Sequence, residues 1–256
     1  MKPIDIFITS YMRPEYTLKT IKYLQDRTKY PYRLFLIDNG GNEVCKYNVD
    51  YYIGMGKNLG IMAAWNMALS LAESEYFITS DNDIYVPDTT GYIISPNEVM
   101  GVIKLPVTIA QPCWLEQMVK FMDERPDYGA ISLHPHIFVG IVGEDPNDPE
   151  DVKEAPMAGA VMRIMRTEAV RKVGGWEHVI RPKRNGEERW ISSRLQGAGY
   201  KVGRTTRIRA YHPFGKDIEG NLGWGYTTIT PEEQGHTPEL KDEVLRFDNP
   251  ESYDPA

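Results

Sequence analysis

Residues 76–87 read Tyr-Phe-Ile-Thr-Ser-Asp-Asn-Asp-Ile-Tyr-Val-Pro, an apolar and aromatic run that leads into two carboxylates. This composition predicts a buried β-strand that ends at Asp81-Asn82-Asp83. Because strand side chains two residues apart point to the same face, we expect Asp81 and Asp83 to project to one side. Like charges this close repel each other, and a hard divalent cation such as Mg2+ or Mn2+ would relieve the repulsion. The alternative is a turn in which the carboxylates cap backbone N–H groups.

The residues before this stretch predict a parallel sheet. Residues 4–8 are typical of a strand, residues 9–13 of a loop, and Pro14 of the first position of a helix. A second strand is expected over 32–37, ended by the turn residues 38–41. A strand, a helix and a second strand in this order make parallel strands, and the loops after both strands face one crevice.

A glycine-rich loop precedes the next predicted helix. We expect a strand over Val49 to Ile53, then residues 54–60, which read Gly-Met-Gly-Lys-Asn-Leu-Gly, and a helix from about Ile61 to Glu73. The glycine spacing matches neither the dinucleotide-binding nor the P-loop pattern, so both assignments are rejected. The loop can still present backbone N–H groups and Lys57 to an anion, or it is a plain tight turn.

Beyond residue 90 the patterns are less regular. Residues 91–112 predict an irregular excursion or hairpin, and the acidic residues 143–155 a polar surface loop. The remaining expected elements are a helix over 114–124, strands over 129–133 and 158–164, a short helix capped by Thr167, a helix over 186–200, and a last strand before His212. Residues 231–256 carry eight acidic and two basic residues and predict an irregular tail.

Composition and charge limit the class of protein. The 256 residues, 41% of them hydrophobic, suit one α/β domain or two small ones. The net charge of −7 argues against broad electrostatic attraction to nucleic acid or anionic membranes. No apolar run approaches the roughly 20 residues of a membrane span, no signal peptide is evident, and the two cysteines form no Cys-x-x-Cys pair. We therefore expect a cytoplasmic location.

Several separated stretches, in this order, resemble the inverting, family 2 type of glycosyltransferase with the GT-A fold. They are residues 6–14, 36–40, 58–66, 81–83, 158–176 and 186–202. The resemblance covers roughly residues 4–213, without 91–156 and the tail. It implies an α/β fold with a Rossmann-like, mostly parallel sheet flanked by helices. It also implies one domain over 1–215, with a donor half over 1–90 and an acceptor half over 91–215. Residues 216–256 are expected to form an acidic extension.

The resemblance also implies a nucleotide-sugar site that depends on a divalent cation, Mn2+ or Mg2+. Asp38 can accept a hydrogen bond from a base N–H such as that of uracil, which makes a UDP-sugar the default donor. Arg13 and Lys57 either reach phosphate or base oxygens or are solvated surface charges. The implied donor-binding residues are Thr9, Tyr11, Arg13, Asp38, Lys57, Asn58, Asp81 and Asn82, and the implied metal ligands are Asp83, Asp81 and His212.

The transfer itself requires a general base. The acceptor hydroxyl must lose a proton, and in the family the second member of an acidic pair at the start of a helix accepts it, which here is Glu188. The position often holds Asp, and Trp190 stands where a second Asp is frequent, so Glu187 stays open as the base. The alternative role of both acids is to stabilise a helix N-terminus.

Other functions stay open at this point. A retaining glycosyltransferase shares the donor half, and a non-catalytic module would bind nucleotide-sugar and metal without transfer. A sugar-1-phosphate nucleotidyltransferase is disfavoured, because residues 9–14 lack that family's glycine-rich opening loop. The acceptor is a saccharide, a glycan precursor, a metabolite, a protein or, with least support given the net charge, a modified nucleic acid.

Overall fold

The carboxyl ends of several strands meet at one edge of the molecule, and the way the sheet is built explains why. The computed structural model describes residues 2–11, 14–40, 47–87, 113–136, 150–177 and 186–211. The predictions made for Arg13, for residues 91–112, for His212 and for the acidic tail lie outside these described residues.

Eight strands among the described residues form one sheet in the order β3-β2-β1-β4-β7-β5-β8-β6. The four strands β3, β2, β1 and β4 are parallel, as the strand-helix-strand pattern predicts. β7 runs antiparallel to β4 and β5, β8 is parallel to β5, and β6 is antiparallel to β8. The strands are β1 (Ile4–Ser10), β2 (Tyr32–Asp38), β3 (Tyr51–Gly54), β4 (Tyr76–Asp81), β5 (Tyr128–His136), β6 (Val152–Glu154), β7 (Arg163–Arg166) and β8 (Lys201–Tyr211).

Helices cover both faces of the sheet, and the expected fold class is confirmed. They are α1 (Pro14–Arg27), α2 (Ile61–Leu71), α3 (Trp114–Glu124), α4 (Thr167–Lys172) and α5 (Glu187–Gly197). Alternate residues of β1 divide between two cores: Ile6 and Ile8 pack in the core that contains α1 and α3, and Phe7 packs in the core that contains α2 and α5. Among the described residues, no helix combines the length and apolar character that crossing a membrane requires.

Strand register brings the predicted polar residues to one edge. Thr9 in β1 lies opposite Asp81 in β4, Ser10 lies opposite Asp38 in β2, and Asp38 lies opposite Gly54 in β3. These positions are at the carboxyl ends of parallel strands, where open α/β sheets bind their ligands. β1 therefore extends to Ser10, and the prediction of a loop over its last two residues was wrong.

The strand predicted over 158–164 was wrong in its position. Residues 158–162 are irregular, and β7 begins only at Arg163. The hydroxyl of Ser80 donates to the carbonyl oxygen of Ala160 at 3.3 Å and accepts from the N–H of Met162 at 3.2 Å. The Ser80 side chain thus makes the backbone hydrogen bonds that a neighbouring strand would otherwise make. Met162 has a φ of 42°, which is rare for a residue with a side chain.

Two further local predictions were wrong. Residues 152–154 lie in strand β6, paired with β8, although the acidic composition of 143–155 predicts a loop; residues 143–149 are outside the described residues. Thr167 is the first residue of α4 rather than its cap, because its hydroxyl donates to the carbonyl oxygen of Ser74 at 2.7 Å. Both misses depend on contacts between segments far apart in sequence.

Candidate functional site

Four carboxylates from two distant parts of the chain form a group that we call the acid cluster: Asp81 and the three carboxylates whose charges act on it, which are Asp83, Glu187 and Glu188. Asp81 ends β4, Asp83 is buried two residues later, and both glutamates lie in the first turn of α5. The pKa of Asp81 lies well above its usual range, because burial strips water from the carboxylate and the charges of Asp83, Glu188 and Glu187 add to that effect. The structure therefore brings together the carboxylates expected on the donor side and on the acceptor side.

The two glutamates of the acid cluster differ in their contacts. Glu187 folds back on its own helix start, where the N–H of Gly186 donates to Oε2 at 2.9 Å. Burial raises the pKa of Glu187, and the neighbouring charge of Glu188 raises it further. Among the described residues, no hydrogen bond engages the carboxylate of Glu188. Glu188 is therefore the glutamate that offers an uncommitted proton acceptor.

A buried arginine near the acid cluster was not predicted from the sequence. Arg163 is fully buried at the start of β7 and interacts electrostatically with Glu188, Asp81 and Glu187. The signal that would have found it is a charged residue within the otherwise apolar run 160–165, Ala-Val-Met-Arg-Ile-Met. A guanidinium inside such a run needs a functional or structural reason, because an isolated buried charge is costly.

A second group of polar residues lies at the end of β2. Asp38 is buried, and its two oxygens accept from the N–H of Gly40 at 3.1 Å and from the hydroxyl of Tyr52 at 2.5 Å. The ring of Tyr11 lies directly over Gly40, since a Cβ added there would come within 2.5 Å of Tyr11 Cδ2. Burial raises the pKa of Tyr11, and a hydrogen bond with Asn58 opposes that rise. The expected residues Tyr11, Asp38 and Asn58 therefore lie around one short turn.

Two asparagines hold the glycine-rich loop against this turn. Asn39 donates from Nδ2 to Asn58 Oδ1 at 3.1 Å and accepts from the N–H of Leu59 at 3.0 Å. The N–H of Gly60 donates to Asn58 Oδ1 at 2.8 Å. Lys57 lies exposed on the same loop. Asn39 was missed from the sequence, although its place in the turn 38–41 was the available signal.

The remaining predicted residues have different surroundings. Thr9 is buried on the strand next to Asp81, and its hydroxyl has no hydrogen-bond partner among the described residues. Asn82 turns toward α1, where its Nδ2 donates to Thr17 Oγ1 at 2.8 Å and its carbonyl oxygen accepts from Thr20 at 2.7 Å. Asn82 thus anchors the loop after β4, and Thr9 presents an unpaired hydroxyl beside Asp81.

The two carboxylates at the end of β4 suit a hard cation that is bound partly by the protein and partly by a substrate. Carboxylate oxygens are the ligands that Mg2+ and Mn2+ prefer, and Asp81 and Asp83 place two of them two residues apart at the end of β4. Within the described residues there is no group of three or more His, Cys, Asp or Glu arranged to hold a metal. Two carboxylates fit a cation that takes its other ligands from phosphate oxygens and water.

Comparison with known proteins agrees with this arrangement. The model of Glycosyl transferase family 2 matches residues 5–90. No curated protein matches the sequence. A fragment of S. aureus TarS, residues 1–349, has a TM-score of 0.59 at 13% identity and covers 85% of this chain and 62% of its own.

Two other solved structures share the fold with similar sequence identity and TM-score. The mannosyltransferase PcManGT from Pyrobaculum calidifontis, in complex with GDP-Man and Mn2+, has a TM-score of 0.58 at 14% identity and covers 83% of this chain and 57% of its own. GalNAc-T7 with UDP, GalNAc and Mn2+ has a TM-score of 0.61 at 14% identity and covers 86% of this chain and 45% of its own. This chain thus spans less than two thirds of each of these proteins.

These findings confirm the fold that the resemblance implies. The sheet, its flanking helices and the polar edge at the strand ends are those of the GT-A fold. The match over residues 5–90, about a third of the chain, confirms the resemblance to family 2, and the solved structures confirm the GT-A fold.

Proposed function

We propose that this protein transfers a sugar from a nucleoside diphosphate donor to an acceptor hydroxyl, with a divalent cation at the donor. The observation that carries the proposal is the acid cluster. Asp81 at the end of β4 and the two glutamates at the start of α5 are 106 and 107 residues apart in sequence, yet their charges interact. A transferase needs carboxylates from both segments in one site, because one pair acts at the donor diphosphate and the other at the acceptor hydroxyl.

The turn after β2 suits recognition of the nucleotide. Asp38 is held in a fixed orientation by Tyr52 and Gly40, so its oxygens are placed to accept from a base N–H. The Tyr11 ring offers a flat face beside it, and the unpaired hydroxyl of Thr9 lies deeper, next to Asp81. Lys57 and Arg13 would meet phosphate oxygens. UDP-sugar is the default donor, in keeping with UDP in the structures of TarS and GalNAc-T7, although PcManGT was solved with GDP-Man.

Asp83 and Asp81, with His212, would hold Mn2+ or Mg2+, and Asn82 would keep the loop between the two aspartates in place. The structures of PcManGT and GalNAc-T7 contain Mn2+, which supports this choice. When bound, the cation supplies positive charge for the diphosphate that leaves.

Glu188 is proposed as the general base, because the Oε2 of its neighbour Glu187 is already engaged. The acceptor oxygen forms a bond to the anomeric carbon as the bond from that carbon to the diphosphate oxygen breaks. The acceptor proton passes to Glu188, and the electron pair leaves with the nucleoside diphosphate. A single displacement of this kind inverts the anomeric configuration. A retaining transferase would instead keep that configuration, and a binding module would form no product.

The test is a calorimetric titration of the full chain with UDP, GDP, ADP and CDP, each with Mn2+ and with EDTA. We expect one nucleotide to bind with Mn2+ and to lose that binding in EDTA and in Asp83→Ala. The matched control is Asp26→Ala, since Asp26 is an exposed aspartate on α1 that pairs with Lys22. Binding that ignores both the metal and Asp83, or the absence of binding by every nucleotide, overturns the proposal.

A further inference from the structure

Arg163 is a fully buried cation whose nearest contacts are all uncharged. Its two terminal nitrogens donate to the carbonyl oxygen of Ala158 at 3.2 Å and to the hydroxyl of Thr79 at 3.1 Å. Its guanidinium carbon lies 4.5 Å from the ring centroid of Trp65 and 5.3 Å from that of Trp176. Its Nε is buried without a hydrogen-bond partner among the described residues. These contacts fix the position of the charge but do not neutralise it.

The opposite charge comes from the acid cluster. No ion pair within 4.0 Å joins Arg163 to a carboxylate of the described residues, so the interaction acts across a gap. Burial lowers the pKa of Arg163 to about 10, while the charges of Glu188, Asp81 and Glu187 act to raise it. Arg163 therefore stays positively charged at neutral pH. A buried arginine of this kind is tolerable because three carboxylates lie in its field.

The position of Arg163 links the two sides of the candidate site. Thr79 lies on β4 two residues before Asp81 and on the same face, whereas Ala158 belongs to the irregular segment before β7. Trp65 lies on α2, and Trp176 follows α4. One guanidinium thus contacts segments from the donor side and from the acceptor side, and it interacts electrostatically with carboxylates of both.

We propose that Arg163 is a positioning residue whose buried positive charge balances the acid cluster before a donor arrives and limits how tightly that cluster binds a free cation. This inference rests on the proposed function, because it assumes that Asp81 and Asp83 meet a divalent cation. Without Arg163 the carboxylates repel one another more strongly and attract a cation more strongly. With it, the empty site stays assembled, and the cation is held firmly only when a diphosphate accompanies it.

The competing explanation is that Arg163 only fills space and joins segments. The two roles predict opposite results when Arg163 is replaced by an uncharged residue. Loss of a purely structural arginine loosens the site and weakens the binding of any ligand in proportion to lost stability. Loss of a charge that opposes the cation tightens the binding of that cation even where stability falls.

The experiment is a titration of the full-length protein with Mn2+ alone, without nucleotide, with free Mn2+ measured by electron paramagnetic resonance. We expect Arg163→Met to bind Mn2+ on the order of tenfold more tightly than the wild type. Arg163→Lys, which keeps the charge, should bind close to the wild-type affinity. Unchanged or weaker binding in Arg163→Met, or the same tightening in Arg163→Lys, overturns the inference.

Arg166→Met is the matched control. Arg166 lies on the same strand and also makes two side-chain hydrogen bonds, to Met122 and Tyr76, but on the side of α3. It should leave Mn2+ affinity unchanged, and tightening there would show a general effect and overturn the inference. Thermal unfolding of each variant comes first. If Arg163→Met does not fold, Arg163→Gln, which also removes the charge, takes its place with the same expected result.

Asp83→Ala separates the two proposals. If the wild type binds Mn2+ and Asp83→Ala does not, the metal site stands, and the Arg163 variants alone decide the inference. If the wild type binds no Mn2+ even with the nucleoside diphosphate present, or Asp83→Ala binds it equally well, the proposed function fails together with the inference that rests on it.

Discussion

At the scale of single residues, the acid cluster gives Glu187 and Glu188 different duties. Glu187 accepts a hydrogen bond from Gly186, so its carboxylate helps to start α5. We expect Glu188→Gln to slow transfer by about 10²–10⁴-fold while nucleotide binding stays within about twofold, because a general base acts only on the reacting proton. The readout is release of nucleoside diphosphate from the sugar nucleotide that binds best. Glu187→Gln is the control, and an equal or larger loss there would transfer the role of base to Glu187.

Gly40 is a residue whose lack of a side chain shapes the nucleotide site. A methyl group there would meet Tyr11 Cδ2 at 2.5 Å, so the aromatic ring must move. We expect Gly40→Ala to weaken nucleotide binding about tenfold, measured by calorimetry. Gly159→Ala is the matched control, because nothing lies within 4 Å of a Cβ at that position. If Gly40→Ala weakens nucleotide binding by displacing Tyr11, the double variant Gly40→Ala/Tyr11→Ala should bind nucleotide only slightly more weakly than Tyr11→Ala alone.

At the scale of elements, the turn after α4 is fixed to α2 through one amide. Asn66 accepts from the N–H of Trp176 at 3.0 Å and donates to its carbonyl oxygen at 3.3 Å. Gly175 has a φ of 68°, and a Cβ there would lie 2.7 Å from Asn66 Oδ1. We expect Gly175→Ala to lower the free energy of unfolding by about 2–3 kcal/mol, from backbone strain together with displacement of Asn66.

The control for that turn is Gly199→Ala, measured in the same urea titrations. Gly199 also has a positive φ, 88°, but nothing lies within 4 Å of its Cβ position. It should therefore cost only the backbone strain, about 1 kcal/mol. Equal losses in the two variants would show that contact with Asn66 contributes nothing.

Elements with strong local signals were predictable from the sequence, and those that depend on distant partners were not. Helix α3 has the expected bounds, because its apolar spacing and Pro126 define it locally. The segment 158–162 has the composition of a strand, yet its backbone forms hydrogen bonds with the hydroxyl of Ser80, through the carbonyl oxygen of Ala160 and the N–H of Met162. Asp38 was expected from its turn, whereas Tyr52 and Asn39 function through contacts that no local pattern encodes.

At the scale of the whole molecule, the two ends of the parallel strands have different roles. The carboxyl ends carry the candidate site. At the amino end of β1, Asp5 is fully buried and accepts from Arg33 at 2.7 Å and from the N–H groups of Glu73 and Ser74 at 2.8 and 3.1 Å. One carboxylate thus joins β1, β2 and the connection between α2 and β4, so this end contributes stability.

The pH dependence of stability follows from the same carboxylate. Burial by itself raises the pKa of Asp5, but the hydrogen bonds from Arg33, Glu73 and Ser74 outweigh it, so the pKa lies below the usual 3.8. A lowered folded-state pKa stabilises the protein above the unfolded-state value, and this contribution is lost as the pH falls from about 4 through the folded-state pKa. We expect Asp5→Asn to cost about 2 kcal/mol at pH 7 and progressively less below pH 4. Urea titrations across this range measure the difference, with exposed Asp26→Asn as the control.

Nucleotide binding should be unchanged in Asp5→Asn at pH 7, because Asp5 lies at the opposite end of β1 from Thr9. A loss of nucleotide binding without a loss of stability would contradict this division of the sheet.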